Sequence, residues 1–214
     1  MANQCLAQVQ SCALRVTRLA ADGSPIEGAD NLYTTDSLTV LTIEPEITEG
    51  DEFEVKNACG AVCVNFKDCD RLKRLNLTLG LCIPDPELQE LLVGGVVLTS
   101  GDAVGYAFPE IGAAACPDGV SIEVWTKRIT AAGALDATFP YERYVLPRTY
   151  WQHSTRTFEN GPVVLELNGF AVENPEWLDG SENDWPVASD RVLQSLPVAT
   201  LPDVACGYLV ATAS

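Results

Sequence analysis

Histidine and positive charge are scarce in this sequence, and each scarcity closes off a class of function. His153 is the only histidine among 214 residues, so any Ser-His or Cys-His nucleophile pair has to be built on it. It lies in Tyr150-Trp-Gln-His-Ser154, which reads as a polar aromatic loop and suits a surface or interface histidine better than a catalytic one. Thirteen Lys plus Arg stand against 30 Asp plus Glu, giving a formal charge of −17 and a pI near 4.2. That balance is opposite to the basic footprint needed to hold nucleic-acid phosphates. No run of about 18 uninterrupted apolar residues is present, so no membrane-spanning helix is expected. The first ten residues lack the basic and apolar regions of a secretory signal, and the protein is expected to stay where it is made. The G-x-S-x-G elbow, the Walker loop, G-x-G-x-x-G and H-E-x-x-H are all missing. So is any internal repeat of about 20–50 residues.

What is present is apolar enough for a core, with 47% hydrophobic residues and a mean hydropathy of +0.08, in a chain long enough for one domain spanning 1–214. Eight cysteines (5, 12, 59, 63, 69, 82, 116 and 206) would suggest a disulfide framework in a small secreted protein. A chain of this length needs no such staples, and buried free thiols are expected. Cys59, Cys63 and Cys69, with Cys82 further on, form the one metal-like grouping, but it lacks paired C-x2-C knuckles, so no metal is assigned. The acid pairs Asp68/Asp70 and Glu173/Glu176 could do glycosidase chemistry in principle, yet 30 carboxylates yield such pairs by chance. Asn76-Leu77-Thr78 matches a glycosylation acceptor inside an alternating strand and is discounted. No catalytic residue and no cofactor are assigned.

Period-two alternation dominates. Ala13–Leu19, Leu38–Glu44, Glu52–Lys56, Ala61–Phe66, Val120–Ile129 and Tyr141–Leu146 all read as strands. Arg74–Cys82 is the clearest, with Leu75, Leu77, Leu79 and Leu81 on one face. Between the strands, residues 86–93 change period. Asp85 can cap, Pro86 fits the first helical position, and Leu88, Leu91 and Leu92 form a stripe before Gly94-Gly95. A short amphipathic helix is expected there, covering a sheet edge or barrel mouth. The Gly- and Ala-rich passage to Cys116 is assigned no element, and residues 131–137 read as a loop. A run from Pro162 to Asn168 breaks at Gly169, and a further strand follows to Glu173. Eight to ten short strands with one short helix predict a mainly β fold, a sandwich or barrel.

The segment Glu173-Asn-Pro-Glu-Trp-Leu-Asp-Gly-Ser-Glu-Asn-Asp-Trp-Pro186 sets two Trp and two Pro among turn formers and acids. It is too polar for a core and too aromatic for an idle loop, which marks a docking element within a C-terminal arm of about 171–214. Trp151, Pro175, Trp177 and Trp185 are the expected subunit-interface residues. Leu88, Leu91 and Leu92 are further candidates, for which intramolecular packing is the stronger reading.

Two stretches together resemble the major tail, or tail tube, proteins of long-tailed bacteriophages, of the non-contractile type from actinobacterial hosts. One is Phe66–Gly95, a strand running into the Pro-Asp-Pro-Glu-Leu helix start. The other runs from Glu159-Asn-Gly-Pro162 through Asn168-Gly-Phe170 to Asn174-Pro-Glu-Trp177 and Asn183-Asp-Trp-Pro186. The cysteine cluster at 59–69 is not part of that pattern. The resemblance implies a virion structural protein, assembled in the host cytoplasm, that forms hexameric rings stacked into a tube. Its implied partners are further copies of itself, a tape measure protein, and tail terminator and baseplate or distal tail proteins. DNA would pass through the lumen without specific binding, and neither catalysis nor a membrane is implied. Six copies would carry about −100 formal charges per ring, enough to repel DNA phosphates from a negative bore. The alternatives are another phage β-sandwich structural protein, such as a capsid decoration, tail terminator or distal tail protein, and a cryptic hydrolase or metal-binding domain.

Overall fold

The computed structural model describes residues 6–26, 28–83, 85–112, 118–156, 160, 164–178 and 191–209. The protein is mainly β, with antiparallel sheets and one short α-helix among the described residues. The largest sheet holds β1 (Ala7–Arg18), β2 (Leu32–Thr35), β3 (Leu38–Thr48), β6 (Arg71–Leu81), β9 (Val120–Ile129), β10 (Tyr141–His153), β11 (Leu165–Val172), β12 (Gln194–Val198) and β13 (Gly207–Tyr208). Its main path runs β13-β2-β1-β9-β10-β11-β6-β3, and β12 joins it on β10. Two separate hairpins complete the count: β4 (Glu52–Lys56) with β5 (Val62–Lys67), and β7 (Val96–Ser100) with β8 (Ala103–Ala107).

The sheet curls far enough for β3 to approach β1, and its inner face forms the core. Leu75, Leu77, Leu79 and Leu81 share that face as their alternation requires, joined by Leu14, Val16, Tyr33, Ile122, Val124, Leu146, Leu165 and Leu167. The helix α1 (Pro86–Val93) closes this interior. Asp85 Oδ1 accepts from the backbone N–H of Glu87 at 2.8 Å and of Leu88 at 3.1 Å, and Gly94 ends the helix. Leu88, Leu91, Leu92 and Val93 are all buried in the same core cluster, so the helical stripe is intramolecular packing.

Several elements depart from the sequence pattern. β11 runs straight through Gly169, which pairs with Leu77 on one side and Trp151 on the other. The glycine is there for space: a Cβ would lie 2.4 Å from the Tyr150 carbonyl oxygen and 2.7 Å from the Trp151 ring. β10 continues past Pro147 to His153, so Tyr150–His153 are strand and not loop. Pro147 sits where β10 changes one neighbour, from β12 along Tyr141–Val145 to β11 along Arg148–His153. A proline is tolerated at that junction because no ladder hydrogen bond is needed from it there. β7 and β8 occupy part of the Gly- and Ala-rich passage, which the sequence pattern leaves without an element.

Candidate assembly surface

The β4–β5 hairpin continues the outer ends of β3 and β6, making one two-stranded arm. From Glu44 to the Asn57 turn its contour is about 40 Å at the usual strand rise. The turn is tied by Asn57, whose Oδ1 accepts from the N–H of Cys59 (3.0 Å) and of Ala61 (2.9 Å), with Gly60 at φ +83°. Near the root, Glu46 accepts from Lys73 Nζ and Arg74 Nε, each at 2.6 Å. These two hydrogen bonds hold its carboxyl down to about 2.

Register sorts the arm into two faces. Phe53 pairs with Phe66 and Val55 with Val64 on one face, while Glu52, Glu54, Asn65 and Lys67 point the other way; Val62, beyond a bulge, pairs with Lys56. These five apolar side chains are 52–61% exposed, and Ile47 and Leu72, paired on the arm's base, are exposed as well. An isolated two-stranded ribbon is marginal in water at best. An apolar stripe of this length along one is the signature of a surface meant to be covered.

The second hairpin repeats the theme on a smaller scale. Val96 and Leu98 are exposed on one face of β7, and Phe108 is exposed just past β8. The other face is anchored: the Tyr106 hydroxyl donates to the Gly94 carbonyl at 2.6 Å and accepts from His153 Nε2 at 3.0 Å, which places the proton on that nitrogen. Phe108 packs on the His153 ring at 4.3 Å, and Arg156 lies 5.6 Å over Phe108 while donating to Gln89 Oε1. Burial, and then the neighbouring Arg156 charge, push the His153 pKa below its usual value. His153 is therefore a structural link between hairpin, helix and sheet. The third open feature is β3 itself, an 11-residue edge strand that pairs only with β6 among the described residues. Such an edge is a template for further strand pairing.

The sequence-selected interface residues fall elsewhere. Trp151 is buried in the main core, its indole N–H donating to Thr149 Oγ1 at 2.8 Å. Trp177 is fully buried with Leu19 and Val145 on the outer face of the sheet. Both rings are thus packed inside the protomer and have no exposed surface of their own to offer a partner. Trp177 is held there because Asn174, itself buried, donates from Nδ2 to the Gly23 carbonyl (2.8 Å) and the Pro147 carbonyl (3.1 Å), fixing the turn at Pro175–Leu178. Pro175 is exposed, and Trp185 lies outside the described residues.

The thiols also differ from expectation. Cys59, Cys63, Cys69, Cys82 and Cys206 are free and exposed, and Cys12 is half-buried. The first three decorate the arm, where period-two burial does not apply because the ribbon has no core behind it. No group of three His, Cys, Asp or Glu able to hold a metal occurs among the described residues. Of the acid pairs, Asp70 accepts from the Gly50 N–H at 3.0 Å, and Glu173 and Glu176 are both exposed. No described helix is long and apolar enough to cross a membrane. The exposed apolar arm, the half-anchored second hairpin and the open β3 edge together form the candidate assembly surface. No protein-family model matches this chain, and no curated protein is significantly similar to it.

Proposed function

We propose that this chain is a self-assembling structural subunit, a phage tail tube protein whose copies join as hexameric rings stacked around a tape measure protein. The observation that carries this reading is the β4–β5 arm, which offers a long apolar stripe that a single protomer leaves bare. A projecting ribbon of this kind reaches a surface other than its own, so the contact is head-to-tail. Head-to-tail contacts propagate into rings or filaments rather than stopping at a pair. The open β3 edge adds a second propagating contact of the same kind. The resemblance of Phe66–Gly95 and Glu159–Pro186 to tail tube proteins gives the class of polymer. In such a tube the acidity acquires a use, since a negative bore would let DNA slide; a neutral or basic bore in an assembled tube would remove that part of the reading.

Negative-stain electron microscopy of the purified protein, with light scattering across concentration, tests the proposal. Hollow tubes or stacked rings above a critical concentration are expected. A chain that stays monomeric at high concentration, even with the initiating tail proteins added, would overturn it. Closed oligomers of fixed size would point instead to a capsid decoration, tail terminator or distal tail protein.

A further inference from the structure

Across β1, β9 and β10, the face turned away from the main core is polar yet buried. Glu123 is fully enclosed, with Arg15 beside it on β1 and Arg143 diagonally placed on β10. Arg15 Nε donates to Glu123 Oε2, and Arg143 donates to Oε1 from Nη2 and, at 2.7 Å, from Nε. Both guanidinium groups also sit 5.4 Å from the Trp125 ring. One carboxylate is therefore divided between two buried arginines. Arg15 is about nine-tenths buried, and its Nη2 has no hydrogen-bond partner among the described residues. Two guanidinium groups against one carboxylate leave this buried cluster with a net positive charge. The same two arginines and Trp125 line a half-open cavity of about 410 Å³, together with Phe139, Pro197 and Leu201.

We propose that this cavity is a carboxylate-binding site. The guanidinium groups already display the preference, since both hold a carboxylate here. The aromatic and aliphatic walls suit a carboxylate on a short hydrocarbon stem better than an inorganic oxyanion. Two sources share that chemistry: an Asp or Glu side chain of a second copy of this acidic chain, or a free small dicarboxylate. The site does not depend on the tube reading, because binding to dispersed protein reports on it whether or not tubes form.

The test is thermal unfolding of dispersed protein titrated with sodium succinate, against sodium chloride at matched ionic strength and against sodium phosphate. A saturable upward shift in Tm with succinate alone is expected. Ala199→Phe, on the exposed rim of the cavity, occupies it without removing any member of the ion network and should abolish the shift while leaving the starting Tm unchanged. Arg15→Met, which keeps Glu123 paired with Arg143, should abolish it as well. No shift beyond that of chloride, or a shift that survives Ala199→Phe, overturns the site, and an equal response to phosphate overturns the carboxylate assignment. Succinate that binds and also raises the concentration needed for assembly identifies a side chain of a second copy as occupant. Binding with assembly unaffected identifies a free small carboxylate.

Discussion

Removing the two rings that face each other across the arm, in the double variant Phe53→Ala/Phe66→Ala, should cripple assembly and leave the protomer intact. These rings are 61% and 54% exposed. With about 200 Å² of surface per phenylalanine, each presents roughly 110–120 Å² to a partner. At about 25 cal/mol per Å² that is about 3 kcal/mol apiece. Interfaces return less than area predicts, and alanine retains the Cβ, so about 2 kcal/mol per truncation is a fair expectation. About 4 kcal/mol in all lowers the association constant by close to three orders of magnitude. The critical concentration read by light scattering should rise accordingly, with electron microscopy showing the loss of long assemblies. Chemical denaturation of the protomer should move by no more than about 0.5 kcal/mol, because exposed side chains contribute little to the fold. An unchanged critical concentration would refute the arm as an assembly element. A large drop in protomer stability would refute the claim that its apolar face is uncovered.

Other expectations follow from the buried positions. Trp177→Ala should cost about 3–5 kcal/mol in the unfolding of the protomer, measured by denaturant titration, because its ring is fully enclosed. A silent effect on the protomer with impaired assembly would instead return Trp177 to the interface. Gly169→Ala should destabilise by about 2–3 kcal/mol, since the added methyl would meet backbone and an indole that cannot both retreat; an unchanged denaturation midpoint would show that β10 gives way there. The depressed pKa of His153 has a definite sign. Its unfolded form takes up a proton near pH 6.5 while the folded form resists, so its contribution is complete above that pH and is lost as pH falls towards the folded value. A Tm that declines between pH 7.5 and 5, with a shallower decline in His153→Gln, is the outcome to look for.

Much of the scaffold was readable because its alternation is undisturbed. Pro86–Val93 and Val120–Ile129 emerge from the sequence with the bounds the structure has, and the Leu75–Leu81 face is buried as read. Glycine and proline misled where tertiary pairing overrode local preference. Gly169 ends nothing because close packing against Trp151 requires it. Pro147 and Pro197 lie in strands, the latter on β12, which among the described residues pairs only with β10. The β7–β8 hairpin is hard to see in the sequence because Gly101 and Gly105 interrupt the alternation of its short strands. The Arg15–Glu123–Arg143 group was illegible for another reason. Its members are scattered along the chain and occupy the polar side of alternating strands, which reads as solvent-facing until residues 194–202 are seen to cover it. The arm's apolar face shows the reverse: alternation puts Phe53, Val55, Val64 and Phe66 on one apolar face as in a core strand, but no layer of described residues lies behind them.

Because β10 takes β12 along its first half and β11 along its second, the described elements on either side of residues 179–190 meet on this one strand: Trp177 packs against Val145, and Gln194 pairs with the same residue. Both flanks are thus pinned to one rigid strand. Closing a longer connection between fixed ends costs only about 0.6 kcal/mol for each doubling of its length. A peptide tag or a small foreign domain spliced between residues 179 and 190 should therefore leave the sheet able to form, making this stretch the natural place to graft cargo onto the protein.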